Sequence, residues 1–313
     1  MLGRTANGLF WMYRYLERAE NTSRLIETGQ RLALTRLGNA DEEWRPVLQS
    51  AGVLDDFLLR HDQVTKESAI NWMLRASENP SSVANSISAA RSNARAVRTA
   101  LTEDVWEAVN GAYMGSKATM ARKVGERDLP KVLSGIRQSA ALVRGATLGT
   151  MLRNEIFDFI RIGTYLERAD NTARILDVKY YTLLPSVFAV GSSIDNVQWD
   201  TILQSVSAKG GFRMEYGNTA GPRDIASFLI LDKRMPRSLA FCVGKIRDNF
   251  GYLVTDHGCR NTSADMVDAL YSQCSDRTIE AIFDQGLHEY LQDVLKRLGD
   301  LGGQIELDYR FYS

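Results

Sequence analysis

The stretch YLERAENTSRLIE, Tyr15 to Glu27, occurs a second time as YLERADNTARILD, Tyr165 to Asp177. Eight of the thirteen aligned positions are identical, and the other five are close substitutions such as Glu20 against Asp170. The two copies are 150 residues apart, about half the length of the chain. A match of this length at a fixed offset indicates a duplicated unit, so the chain is predicted to consist of two related halves.

Each copy of this signature is predicted to be a helix that carries a polar stripe beside an apolar one. Positions i, i+4 and i+7 share one face of a helix, which aligns Glu17, Asn21 and Arg24. Charge at the edge of a packing face marks the place where we expect the function. The candidate polar site takes in both copies of the stripe: Glu17, Arg18, Glu20, Asn21, Arg24, Glu167, Arg168, Asp170, Asn171 and Arg174.

The repeat extends beyond the signature. The segment MPRSLAFCVGKIRDN, Met235 to Asn249, echoes NPSSVANSISAARSN, Asn79 to Asn93, and the proline and the final asparagine are 13 residues apart in both. We therefore predict a single domain over residues 1–313, with repeat halves of about 1–130 and 131–313.

The composition is that of an ordinary globular protein, with 44% hydrophobic and 24% charged residues in a chain of 313. Basic and acidic residues both number 38, so no net field attracts nucleic acid or an anionic membrane. We find no run of about 18 apolar residues and no signal peptide, so no membrane span is expected and the cytoplasm is the expected location. The three cysteines and three histidines lack metal-site spacing, which disfavours a histidine-rich metal centre.

Helical periodicity runs through most of the chain and predicts an all-α fold, a helical bundle built from two related halves about a pseudo-two-fold axis. The glycine-rich piece 209–223 is predicted to connect helices. Apolar and polar residues alternate over 304–311 after the Gly302-Gly303 pair, which predicts an extended tail lying on the helices. The longest predicted helical stretches are 6–37, which stops at Gly38-Asn39, then 67–76, 82–101, 132–184 as one or two helices, and 279–298.

The two signatures, the segment NPSSVANSISAARSNARAVR from Asn79 and the segment GLHEYLQDVLKRL from Gly286 together resemble the bacterial α-E family. The resemblance covers essentially the whole chain. It implies an all-helical fold, a bacterial cytosolic protein, and association with circularly permuted ATP-grasp proteins and transglutaminase-like peptidases, a setting in which amide-linked peptides are made or trimmed. By the resemblance, the Glu-Arg pairs are Glu17-Arg18 and Glu167-Arg168.

One interpretation of the signature is structural. If the halves pack about a two-fold axis, Glu17 is expected near Arg174 and Glu167 near Arg24. Such pairs form bidentate, charge-assisted hydrogen bonds. The polar cluster would then fix the register between the halves.

The other interpretation is a metal site. Acidic residues three apart share a helix face, so two such helices could hold Mg²⁺ or Mn²⁺ through carboxylate oxygens. The candidate metal ligands are Glu17, Glu20, Glu167 and Asp170. Nearby arginines, Arg24, Arg174, Arg91 or Arg95, could bind a phosphate or carboxylate. Arg91, Asn93 and Arg95 form a possible anion-binding group, with solvation of a helix face as the alternative.

Two functions follow from these interpretations. The first is a non-catalytic accessory protein that binds an ATP-grasp-type ligase, or its peptide product, in the groove between the halves. The second is a metal-dependent helical enzyme that acts on a phosphorylated or amide substrate at the paired acids and arginines.

Overall fold

The structure is a computed structural model that describes residues 1–33, 44–181, 193–217 and 221–312. Within these ranges all regular structure is helical, which confirms the all-α prediction. The helices that precede residue 151 are α1 (Gly3–Ala33), α2 (Trp44–Ser50), α3 (Leu54–Leu58), α4 (Lys66–Arg75), α5 (Val83–Ala96), α6 (Glu103–Thr119) and α7 (Leu129–Thr150). The helices that follow are α8 (Glu155–Tyr181), α9 (Ser193–Ser205), α10 (Lys209–Tyr216), α11 (Pro222–Leu231), α12 (Leu239–His257), α13 (Thr262–Ser275), α14 (Ile279–Gln285) and α15 (Leu287–Asp308).

The two signature helices, α1 and α8, lie at the centre of the bundle. α1 packs against α5, α7, α8 and α9, and α8 also packs against α2, α12 and α15. The helices meet closely where Gly163 of α8 faces Phe10 of α1, because a Cβ atom at position 163 would lie 2.4 Å from the carbonyl oxygen of Phe10. The two polar stripes face each other across this seam, because Arg168 of α8 contacts Glu17 of α1 and Arg18 of α1 contacts Glu167 of α8.

Equivalent helices of the two halves make equivalent contacts. α5 packs on α1 as α12 packs on α8, and α7 packs on α1 as α15 packs on α8. α9 lies against α1, and α2 lies against α8, so each half places a short helix on the signature helix of the other. This reciprocity is what the predicted duplication requires, although the duplication itself stays an inference from the sequence. α7 also packs against α6, so helices that contact the first half continue beyond the predicted boundary near residue 130.

The segments that echo each other begin their helices in the same way. Ser82 precedes α5, and its hydroxyl accepts a hydrogen bond from the backbone nitrogen of Asn85 (3.3 Å). Ser238 precedes α12 and accepts from the backbone nitrogen of Phe241 (3.0 Å). A serine cap satisfies a backbone N–H that has no partner inside its helix. The residues just before the two caps, Ser81 and Arg237, are therefore at equivalent positions.

The predicted extended tail is wrong. α15 continues through Gly302-Gly303 to Asp308. A Cβ atom at position 302 would lie 3.3 Å from Nη1 of Arg14, so this glycine makes room for a neighbouring side chain instead of ending the helix. Ile305 is fully buried while Leu307 is 71% exposed, so residues two apart lie on different faces, as they do in a helix.

Two further expectations are corrected or refined. The glycine-rich piece contains α10, because Phe212 anchors it against Phe228 of α11, with 5.5 Å between the ring centroids, and this packing outweighs the low helix propensity of glycine. The stretch 132–184 contains two helices, α7 and α8. The predicted stop at Gly38-Asn39 lies outside the described residues. Among the helices described, none is both long enough and apolar enough to cross a membrane.

Candidate functional site

The signature glutamates lie in the seam between α1 and α8. Glu20 has no exposed surface, Glu17 is 2% exposed and Glu167 is 5% exposed. A buried carboxylate is costly to desolvate and is tolerated when ionised donors surround it. The partners of these three side chains therefore decide what the site can do.

Glu17 and Glu20 share one group of arginines. Glu17 accepts hydrogen bonds from Nη2 and Nε of Arg168 (2.6 and 3.1 Å) and from Nη1 of Arg144 (2.8 Å). Glu20 accepts from Nη2 of Arg24 and from Nη2 of Arg237, both at 2.6 Å, and also from Arg144. Arg144 comes from α7 and bridges the two carboxylates.

Glu167 and Asp170 have a second group of arginines. Nε and Nη2 of Arg18 donate to Glu167 (2.6 and 3.0 Å), and so does Nε of Arg14 (2.9 Å). Asp170 accepts from Nε and Nη2 of Arg174 (2.7 and 3.3 Å). The Glu-Arg dipeptides of the two signatures thus pair with each other, Glu17 with Arg168 and Glu167 with Arg18.

The pairing of glutamates with arginines of the other half is confirmed, but the predicted partners are wrong. Arg24 and Arg174 bond the acid four residues earlier on their own helix, because i and i+4 are neighbours along one face. Their remaining Nη1 atoms donate to the carbonyl oxygens of Ser205 (3.1 Å) and Ser50 (3.4 Å), at the ends of α9 and α2. Each arginine thus bonds a carbonyl oxygen of the other half.

Positive charge exceeds negative charge in this cluster. Burial raises the pKa of Glu167, but the charges of Arg18 and Arg14 outweigh burial and lower the pKa to about 2. Burial, and then the charges of Arg24 and Arg168, lower the pKa of Arg237 to about 10. In the described residues, seven arginines contact four carboxylates: Arg14, Arg18, Arg24, Arg144, Arg168, Arg174 and Arg237 around Glu17, Glu20, Glu167 and Asp170.

A pocket of about 330 Å³ opens between α1 and α8, at the second group of arginines. We call it the signature pocket. Asn21 and Asn171 line it, and the amide nitrogen of each is buried and has no hydrogen-bond partner among the described residues. A buried donor without a partner costs about 1–3 kcal/mol, so an acceptor that reached either amide would remove that cost. The other polar lining residues are Arg14, Arg18, Thr22, Asn79, Ser81, Glu167, Asp170 and Arg174.

The candidate metal ligands are brought into the cluster, but the partners that surround them are arginines. Glu17 and Glu20 are bridged by Arg144, while Glu167 and Asp170 belong to the second group. Across the described part of the chain, no group of three or more histidine, cysteine, aspartate or glutamate residues is arranged to hold a metal ion. Binding of Mg²⁺ or Mn²⁺ at these acids stays a prediction.

The other predicted anion-binding group lies elsewhere. Nε of Arg91 donates to Oδ1 of Asn110 (2.8 Å), and the Arg91 guanidinium lies 4.6 Å from the ring centroid of Tyr113. The amide of Asn93 donates to the backbone of its own helix, and Arg95 is exposed. None of Arg91, Asn93 and Arg95 lines the signature pocket.

Sequence reasoning missed three arginines of the cluster. Arg144 lies on α7, Arg237 precedes α12, and Arg14 lies one residue before the signature. Of these three, only Arg237 could have been noticed in the sequence, because alignment of the two proline-containing segments places Arg237 opposite Ser81. The positions of Arg14 and Arg144 depend on packing between helices.

Comparison with known proteins gives one family. A family model named Alpha-E, described as a predicted alpha-helical domain with a conserved ER motif, matches residues 1–309. No curated protein and no solved structure matches the chain.

Proposed function

The chain belongs to the Alpha-E family, and from this premise and the geometry of the cluster we propose that it is a non-catalytic binding protein. Its ligand is a small molecule or peptide end that carries a carboxylate or phosphate. The signature pocket between α1 and α8 holds the anionic group.

The observation that carries the proposal is the set of unused donors in the pocket. Arg14 donates to Glu167 through Nε alone, and its two terminal nitrogens have no acceptor among the described residues. Asn21 and Asn171 line the same pocket, and their buried amide nitrogens have no partner among the described residues. Guanidinium and amide N–H groups are the donors that carboxylates and phosphates accept from in proteins. An anion there would also reduce the surplus of positive charge.

The state of the carboxylates favours binding over catalysis. The charges of neighbouring arginines hold the pKa of Glu17 and of Glu20 below the usual range, although burial acts in the opposite direction. A general base works best when its pKa lies near the operating pH. These glutamates are instead ionised and occupied as hydrogen-bond acceptors, so they hold arginines in place.

The same proposal gives the protein an accessory role beside an ATP-grasp-type ligase, with a transglutaminase-like peptidase as a further partner. The family resemblance supports this part, and the pocket agrees with it because substrates and products of amide formation carry carboxylates. A purified ATP-grasp protein from the same genome should bind the chain on a sensor surface. If it does not bind, this role fails while the pocket proposal stands.

Thermal unfolding with added anions tests the pocket. A ligand that binds only the folded state raises the midpoint of thermal unfolding. At a concentration of 100 times its Kd, it stabilises the folded state by about 2.7 kcal/mol. We expect inorganic phosphate or N-acetyl-L-alanine to raise the midpoint of the wild type. Asn171→Asp should raise the midpoint without ligand, because it offsets positive charge, and should abolish the further rise. Asn71→Asp on α4, which does not line the pocket, is the charge-matched control.

Two outcomes oppose the proposal. The first is the absence of any shift with either anion in the wild type. The second is a rise with Mg²⁺ or Mn²⁺ that disappears in the Glu17→Gln, Glu167→Gln double variant. That second result would support the metal-dependent enzyme.

A further inference from the structure

The two halves fill equivalent positions differently. Ser81 and Arg237 are equivalent, because each directly precedes the serine that caps its helix. In one half the position carries a guanidinium on a long side chain, and in the other a short hydroxyl. The surroundings of Arg237 therefore indicate what the space beside Ser81 is shaped to hold.

Arg237 is buried, 6% exposed, and its guanidinium is bound by two residues of the first signature. Nη2 donates to Glu20 (2.6 Å), and Nη1 donates to Oδ1 of Asn21 (3.3 Å). A carboxylate beside an amide oxygen thus forms a guanidinium subsite in this half of the protein.

The counterparts of these two acceptors line the signature pocket. Asp170 and Asn171 stand in the second signature where Glu20 and Asn21 stand in the first. Ser81 lines the pocket beside them, and its side chain is too short to reach across as Arg237 does. The space that a guanidinium fills in one half is therefore part of an open pocket in the other.

Resting on the proposed anion site, we propose that the ligand of the signature pocket also carries a guanidinium group, which Asp170 and Asn171 bind. The anionic group of the same ligand lies on Arg14 and Arg18. The ligand class is thus an arginine derivative or a peptide that ends in arginine. A pocket of about 330 Å³ is at the small end of ligand sites and suits one residue of this size.

The nearby arginines do not exclude a second guanidinium. In the occupied half, Arg237 lies close enough to Arg24 and Arg168 for their charges to lower its pKa, and Glu20 nevertheless binds Arg237 and Arg24 together. Asp170 already binds Arg174 in the same manner as Glu20 binds Arg24. The arrangement proposed for the ligand therefore has a precedent within the molecule.

A matched pair of ligands tests the proposal on the wild-type chain by calorimetric titration. N-acetyl-L-arginine and N-acetyl-L-citrulline have similar shapes, and only the first is a cation at its side-chain end. We expect the arginine derivative to bind about tenfold more tightly or better, because charge-assisted hydrogen bonds to Asp170 are lost with citrulline. We also expect one molecule to bind per chain.

A variant that fills the pocket provides the second test. Ser81→Arg should place a guanidinium on Asp170 and abolish binding of N-acetyl-L-arginine while the helical circular dichroism is retained. Ser77→Arg, an exposed position four residues earlier that does not line the pocket, should bind as the wild type does. If Ser81→Arg does not fold, the comparison of the two ligands decides.

The outcomes separate this proposal from the one on which it rests. Equal affinity for the two derivatives would overturn the guanidinium subsite and leave the anion site in place. The same holds if phosphate binds and N-acetyl-L-arginine does not. Failure of both derivatives and of phosphate to bind would overturn both proposals.

Discussion

The signature glutamates are ionised inside the protein because arginines from both halves converge on them. Glu17 is held by Arg168 and Arg144, and Glu167 by Arg18 and Arg14. Removing one member of a buried ion pair destabilises a protein far more than forming the pair stabilises it. The residues of the signature are thus constrained as pairs, and changing one member leaves its partner unsatisfied.

Glu17→Gln should destabilise the chain strongly. The substitution keeps the shape but leaves the buried Arg168 and the partly buried Arg144 with one carboxylate fewer. We expect a loss of about 3–5 kcal/mol in the free energy of unfolding. Urea unfolding followed by circular dichroism measures it. Glu27→Gln on the same helix is the control, since the partly exposed Glu27 pairs with Arg31 and Arg137, and its loss should stay within about 1 kcal/mol. Equal losses for the two variants would contradict the structural role of the cluster.

Acid should lower the stability of the protein, because the signature glutamates become protonated and lose their ion pairs. The pKa of Glu167 is lowered from its ordinary value of 4.5 to about 2, because the charges of Arg18 and Arg14 outweigh burial. A carboxyl group whose pKa is lower in the folded state contributes fully above its unfolded pKa, and the contribution is lost as the pH falls towards the folded pKa. We expect the thermal midpoint to drop between about pH 4.5 and 2. Glu167→Gln should make this slope shallower, and an unchanged slope would argue against the assignment.

At the scale of the element, the seam between α1 and α8 is set by a glycine. Gly163 allows the backbone of α8 to approach Phe10 of α1 more closely than any side chain would permit. Since the arginines reach from one helix to the carboxylates of the other, this spacing sets the geometry of the cluster.

Gly163→Ala should separate the two helices. The added Cβ atom would meet the backbone oxygen of Phe10 at 2.4 Å, and backbone cannot rotate away as a side chain can. We expect a loss of about 1–3 kcal/mol in free energy of unfolding, as for other overpacked interiors. Gly145→Ala on α7 has no atom within 4 Å of the new Cβ, so it should leave stability unchanged or raise it by up to about 1 kcal/mol. Denaturant unfolding of both variants makes the comparison, and a stabilised Gly163→Ala variant would show that the seam is looser than described.

At the scale of the whole molecule, the two halves interlock. Glu17 and Glu167 each pair with the Glu-Arg arginine of the other signature, and the carbonyl oxygens of Ser205 and Ser50 accept from Arg24 and Arg174. The short helix α2 packs on α8 of the other half, and α9 packs on α1 of the other half. Neither half therefore contains the complete set of partners for its own signature helix.

Fragments cut between α7 and α8, 1–153 and 154–313, should not fold alone. Each would expose the apolar residues that flank the seam and leave buried charges without partners. The intact chain should unfold in one cooperative transition, with coincident changes in circular dichroism and tryptophan fluorescence. A fragment that unfolds cooperatively by itself would contradict the single domain predicted from the sequence.

The sequence by itself determined the all-helical fold, because periodicity, capping residues and a repeated stretch are local properties of the chain. It offered the pairing of the two signature helices as one interpretation of the repeat. It also identified Glu17, Glu20, Glu167 and Asp170 as members of one polar site. The extended tail predicted from the sequence was wrong, because Gly302 suggests a helix break as long as its contact with Arg14 is not known.

Only the tertiary structure decided which arginine meets which carboxylate. Arg14, Arg144 and Arg237 reach the cluster from outside the signature stretches, and their choice of partner depends on how helices far apart in sequence pack. The difference between Arg237 and Ser81 is visible in the sequence, but its consequence is not. Packing of α1 and α8 brings Glu20 within reach of Arg237 and Asp170 within reach of Ser81. The space is therefore filled in one half and open in the other, and a pocket of this kind is a property of the packed chain.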